Sequence, residues 1–222
     1  MATIKDVGLV LREEAVGESN KRLTILTENL GKVSAFARGA KGTKSKLAVA
    51  KLSYCEFVFY DGKQFLSLTQ ASQIHSFDKI PSDYDAFCAA SFILELTDKM
   101  LLPDMPAQYV LNLSLHALSR LNKAQNHKVA LAAFIFKLLQ KEGYTPTLDG
   151  NFFDTDGLSS VGKEILTLTV QAIKHITASE SKAVFKFKAS QDVADELLTC
   201  ALIFLRANVD EPLKSEKFFV CK

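Results

Sequence analysis

The chain has 222 residues, 48% of them hydrophobic and 23% charged, with a formal net charge of +2. That length suffices for one large domain or two small ones, each with its own core, and the composition is that of a globular protein rather than a disordered or collagenous one. A net charge this small does not argue for nucleic acid, so only local clustering of charge carries weight.

Four cysteines (Cys55, Cys88, Cys200 and Cys221) are scattered without a C-x-x-C pair, which leaves zinc ribbons and thioredoxin-like motifs unsupported. With no signal peptide in view, reduced thiols and a cytoplasmic location are expected. The longest apolar run, 129–136, is far short of the roughly 20 residues of a membrane span.

Val7 to Arg12 alternates as a strand, and Gly17-Glu18-Ser19-Asn20 supplies turn chemistry. Arg22 to Thr27 and Lys32 to Arg38 alternate on either side of Glu28-Asn29-Leu30-Gly31, the pattern of a β-hairpin. In the return strand Val33, Ala35 and Ala37 share one face, and Lys32, Ser34, Phe36 and Arg38 the other. A basic loop follows with Lys41, Lys44, Lys46 and Lys51, and no acidic residue lies between Arg38 and Lys51. Leu52 to Tyr60 is β-rich, Asp61-Gly62 is a hairpin signal, and Gln64 to Ala71 forms the partner strand. Five short strands in the first seventy-odd residues suggest a small curved barrel, and the OB-fold is the five-stranded case that binds oligonucleotides on its strand 2–3 face.

Near Ile80-Pro81-Ser82 the period changes from 2 to 3.6. Tyr84 to Leu102 reads as a helix with Phe87, Ser91, Leu94 and Leu101 on one stripe, stopped by Pro103 and Pro106. Ala107 to Asn122 is a second helix. Lys128 to Glu142 is a third, apolar almost all round and therefore the expected buried centre of a bundle. Gly143 is placed to cap it. Further helices are expected over Gly162 to Ile176 and Gln191 to Asn208, the latter with Ser190 as N-cap. Ala183 to Lys188 reads as either strand or loop. The expected class is α+β, with a barrel over 1–79 and a helical domain over 80–222.

Several short words recur in a recognisable order. They are Gly17-Glu18-Ser19 ahead of Arg22-Leu23, Thr27-Glu28-x-x-Gly31-Lys32, and Ala37-Arg38-Gly39-Ala40-Lys41. Further on come Leu68-Thr69-Gln70-Ala71, Gly143-Tyr144-x-Pro146 with Leu148-Asp149, and Leu213-Lys214-Ser215. In this order and spacing the chain resembles the RecO family of bacterial recombination mediators. The resemblance implies an N-terminal OB-fold and a C-terminal helical domain. It also implies binding of single- and double-stranded DNA, strand annealing, and help in loading RecA onto single strands coated with the single-stranded DNA-binding protein SSB. RecR and the acidic C-terminal tail of SSB would be partners, and no cofactor is expected. Many members of the family carry a four-cysteine zinc motif just after the Leu-Asp. Here that insertion, about 149–158, reads Gly150-Asn151-Phe152-Phe153-Asp154-Thr155-Asp156-Gly157, so no metal is expected and Asp154 and Asp156 read as turn residues.

The candidate DNA-binding residues are Arg22, Lys32, Phe36, Arg38, Lys41, Lys44, Lys46 and Lys51, the lysines and arginines for phosphate and Phe36 for base stacking. The bland alternatives are a solvated loop for the cations and, among sixteen Phe and no Trp, a core position for Phe36. Phosphate contacts carry no sequence information, so binding is expected to be nonspecific. An apolar-ended acidic tail calls for a hydrophobic pocket rimmed by cations, for which Arg120, Lys123 and Lys128 are the candidates, with Arg206 and Lys214 as a second cluster. Gly39-Ala40-Lys41-Gly42-Thr43-Lys44-Ser45 fails the phosphate-loop pattern, because Thr43 separates glycine from lysine. The four histidines form no H-E-x-x-H, and there is no G-x-S-x-G. A binding protein is expected rather than an enzyme. The alternatives are an adaptor whose basic loop docks an acidic partner, and an RNA-binding OB-fold.

Overall fold

The structure, a computed structural model, describes residues 3–41, 47, 49–62, 65–103, 105–123, 126–146, 167–180 and 182–220. Five strands come first: β1 (Thr3–Val16), β2 (Asn20–Thr27), β3 (Lys32–Ala37), β4 (Tyr54–Asp61) and β5 (Leu66–His75). They close into a barrel in the order β1-β2-β3-β5-β4, with β4 returning antiparallel to β1 and β3 pairing parallel to β5. The barrel is the OB-fold expected from the strand pattern.

Period-2 alternation decides which residues fill it. Leu23 and Ile25 of β2, Val33, Ala35 and Ala37 of β3, Cys55, Phe57 and Phe59 of β4, and Leu68 of β5 form one buried cluster. Phe57 and Phe59 stack within it at 5.7 Å, and the small alanines of β3 leave room for such large rings. β1 is much longer than Val7 to Arg12. Its register with β2 shifts between Val10 and Arg12, so Leu11 is the extra residue of a bulge. The largely exposed stretch beyond it, Glu13–Val16, still pairs with Lys21 and its neighbours. Backbone pairing, not a buried face, extends the strand.

The helices are α1 (Tyr84–Met100), α2 (Gln108–Leu121), α3 (His127–Lys141), α4 (Thr167–Ala178) and α5 (Gln191–Asn208), followed by a short turn of helix at Lys217–Val220. The chain divides into two compact units, Met1–Asp78 with Leu94–Leu115, and Lys79–Ile93 with His116–Lys222. Besides a boundary at 78/79, one residue from the expected 79/80, the division crosses α1 and α2.

In the second unit α3 buries every residue from Val129 to Leu139 and packs on α4 and α5, with Phe136 stacked on Phe204 at 5.7 Å. An all-apolar helix is stable only at such a centre. Gly143, at φ +94°, ends it in a Schellman motif, its N–H donating to the Gln140 carbonyl and that of Tyr144 to Leu139. Ser190 stands at the N-cap of α5, but its hydroxyl makes no capping hydrogen bond. The 183–188 segment is a run of turns that buries Val184 and Phe185 rather than a strand. On α1, Ser91 and Leu94 are buried while Phe87 is exposed, so the stripe is rotated from the expected one.

Candidate nucleic-acid interface

The register of β2 and β3 sets Arg22 opposite Phe36, Thr24 opposite Ser34, and Leu26 opposite Lys32. Because Leu23, Ile25, Val33, Ala35 and Ala37 point inward, these pairs line the outer surface of the barrel. The two ends of that surface differ.

The end near the β2–β3 turn is covered by chain from the same compact unit. Asp98 of α1 pairs with Lys32 (Nζ to Oδ1, 3.3 Å) and with Arg12 of β1 (Nε to Oδ2, 3.3 Å), and Lys32 also donates to the Asp98 carbonyl. Pro103 bridges to the Lys32 backbone, and Gln108 donates to Glu28 at 2.8 Å. The Met105 carbonyl lies where a side chain on Gly31 would stand. Lys32 is therefore committed to an internal carboxylate. Its side chain is only 15% exposed.

The other end is open. Arg22, Arg38 and Lys41 are exposed there, beside the half-buried Phe36. The Lys41 N–H donates to the Ser19 carbonyl at 3.1 Å, its ammonium donates to the Gly17 carbonyl, and the Gly39 N–H donates to Asn20 Oδ1 at 3.0 Å. Ala40, between them, buries its methyl in the barrel core. The start of the basic loop is thus fastened to the β1–β2 turn. Carboxylates border this end: Glu14 sits opposite Arg22 in the β1–β2 register and pairs with Arg12 at 3.0 Å, and the exposed Glu18 lies in the β1–β2 turn between Gly17 and Ser19.

Lys51 does not join this surface in a free state. It is half-buried, and burial holds its ammonium below the usual lysine range, while Glu95 and Glu13 act in the opposite sense. Lys44 and Lys46 lie outside the described residues, as do Asp154 and Asp156. The open surface also contains a residue that sequence reasoning missed. Phe65, read as part of a strand starting at Gln64, instead precedes β5 in the β4–β5 connection. It is 52% exposed, and its ring lies 6.2 Å from that of Phe36 at an interplanar angle of 58°. The available signal was its position four residues after Asp61, in a turn rather than in alternation.

In the second unit a groove of about 730 Å³ is lined by Tyr84, Cys88, Leu198, Leu202 and Phe218, with Lys128 and Lys217 among its cations. Of the three residues expected around an acidic-tail pocket, only Lys128 lines this groove, and it is ion-paired with Asp195. Arg120 is half-buried on α2 and Lys123 is exposed just beyond it. Arg206, of the second cluster, pairs with Glu216. Burial raises the thiols of Cys55 to about 11 and Cys200 to about 12, which leaves both inert near neutral pH. Among the described residues no group of three His, Cys, Asp or Glu is arranged to hold a metal, and no helix is long and apolar enough to cross a membrane.

Two family models match the chain: "Recombination protein O N terminal" over residues 1–77 and "Recombination protein O C terminal" over residues 81–152. Among curated relatives, a DNA repair protein RecO of Acetivibrio thermocellus is 28% identical over 89% of this chain and 88% of its own length. One of Caldicellulosiruptor saccharolyticus is 28% identical over 99% of this chain and 98% of its own. One of Clostridium acetobutylicum is 34% identical over 67% of this chain and 62% of its own.

Proposed function

The chain belongs to the recombination protein O family, and on that premise we propose that it is a DNA-repair protein that binds DNA on the open end of its β2–β3 face. The observation that carries this reading is the gathering of Arg22, Arg38 and Lys41 on the strand 2–3 surface of an OB barrel, beside exposed aromatic area. Exposed guanidinium and ammonium groups bind phosphate and release condensed counterions, which gives affinity without sequence preference. A face that holds one strand by its phosphates leaves the bases free to pair. Cations in the same patch weaken the repulsion of an incoming complementary strand. Strand annealing therefore fits the same surface.

We assign the protein to binding rather than catalysis, acting with RecR to load RecA onto SSB-coated single strands. For the acidic tail of SSB the better candidate site is the groove of the second unit, where apolar Leu198, Leu202 and Phe218 lie beside Lys217. The tail would have to displace Asp195 from Lys128 to use that lysine.

The test is single-stranded DNA binding as a function of salt, for wild type and for Arg22→Glu/Arg38→Glu/Lys41→Glu. Each neutralised phosphate contributes about −0.7 to the log–log slope, so losing three contacts flattens it by about 2. An unchanged slope removes DNA from this face. A wild type that ignores DNA of every length but binds an acidic peptide is an adaptor, and tighter binding to RNA of the same sequence favours an RNA-binding OB-fold.

A further inference from the structure

The exposed ring of Phe65 says more about this face than its charge does. We propose that Phe65, braced by Phe36, is a stacking platform for an unpaired base and gives the open end its preference for single strands over duplex. The inference rests on the DNA-binding reading of this face.

Phenylalanine is normally buried. Phe57, Phe59, Phe92, Phe134 and Phe136 are fully buried, whereas Phe65 is 52% exposed. A single exposed apolar residue needs no explanation. This one is paired with a second aromatic on the strand 2–3 face, and the cation Arg22 stands opposite that second ring. Loops between strands 4 and 5 of OB barrels are one of the two places from which oligonucleotides are gripped, and Phe65 ends that connection.

Geometry narrows how a base would sit. A centroid separation of 6.2 Å at 58° is an ordinary tilted aromatic contact. The rings are too close and too inclined to admit a base between them, so a base stacks on the outward face of Phe65. Contact with Phe36 limits the rotamers of Phe65 before any strand arrives, which lowers the entropic cost of ordering it. The parallel pairing of β3 with β5, Phe36 opposite Ser67, fixes the connection beside β3. Every base has a π-face, so stacking tolerates all sequences. Bases inside a duplex are already stacked on one another, so only a single strand can use the ring.

The experiment compares wild type, Phe65→Ala and Phe65→Tyr, all in the full chain, on three probes of equal length: oligo-dT, an abasic deoxyribose-phosphate strand, and a duplex. Phe65→Ala is expected to lower oligo-dT affinity by about 5- to 100-fold. Its salt slope and its binding to the abasic strand and the duplex should match wild type, because no phosphate contact is lost. Phe65→Tyr, which keeps the ring, should bind as wild type does. If Phe65→Ala binds oligo-dT normally, or loses oligo-dT and abasic strand alike, the platform is refuted although salt-dependent DNA binding by wild type still stands. If wild type binds none of the probes, the DNA-binding reading fails and the platform with it.

Discussion

The β2–β3 hairpin that carries the candidate site is held by one carboxylate, and removing it should have a measurable effect. Asp6 of β1 is 5% exposed. Its Oδ2 accepts from the Asn29 and Leu30 backbone N–H groups, both at 3.0 Å, and its Oδ1 accepts from Asn29 Nδ2 at 2.8 Å and Val7 N at 2.9 Å. Three of these four donors belong to the turn between β2 and β3. Hydrogen bonds to a charged acceptor contribute about 1.5–3 kcal/mol each, but they share one carboxylate and do not add. Asn29 is exposed and Leu30 half-buried, so water replaces part of what Asp6→Ala removes. The loss should be about 2–4 kcal/mol, a large fraction of the stability of a domain. With urea slopes of about 1–3 kcal/mol/M, the unfolding midpoint should fall by about 1 M. Asp6→Asn keeps one acceptor oxygen but turns an amide toward the donors, so its midpoint should lie between the other two. A midpoint for Asp6→Ala equal to that of wild type would refute the claim that this carboxylate fastens the turn.

Two other substitutions test the surroundings of the site. Gly31 has φ +71°, and a Cβ there would stand 2.1 Å from the Met105 carbonyl oxygen. Gly31→Ala therefore combines a left-handed strain of about 1–2 kcal/mol with a backbone clash that no rotamer relieves. Its melting temperature should fall by at least about 5 °C, and an unchanged value would mean that the backbone at Met105 moves away freely. Lys137 is buried in α3 and donates to Gln140 Oε1 at 2.9 Å and to the Thr177 carbonyl near the end of α4 at 3.1 Å. Burial lowers its pKa below 10.5, so the unfolded chain binds the proton more tightly. The resulting penalty is complete below the folded pKa and is relieved as pH rises through the ordinary lysine value. The stability of wild type minus that of Lys137→Met should therefore increase between neutral pH and pH 10.5. A constant or falling difference would contradict the direction.

Much of the fold was legible because it depends on local rules. Alternation placed the ends of β2 and β3 within two residues of those observed, and it put Val33, Ala35 and Ala37, which the barrel buries, on one face. The apolar run in α3 announced a buried helix, and Gly143 its end. Where the local rule was weak the reading failed. Past a bulge β1 continues beyond Arg12 to Val16, because ladder hydrogen bonds form as readily between exposed residues as between buried ones.

For the site, the sequence by itself determined which residue types lie outside the barrel: cations and one aromatic, alternating along a strand. It could not determine which of those cations are available. Lys32 and Arg22 share a face and a charge and look equivalent in alternation. Only the tertiary structure separates them, since Asp98, 66 residues beyond Lys32 in the chain, neutralises one and leaves the other exposed. The same holds for Phe36 and Phe65, which meet because a parallel β3–β5 pairing closes the barrel. Periodicity is a property of neighbours in sequence. Charge compensation and ring contacts depend on distance in space, which only the closed barrel supplies.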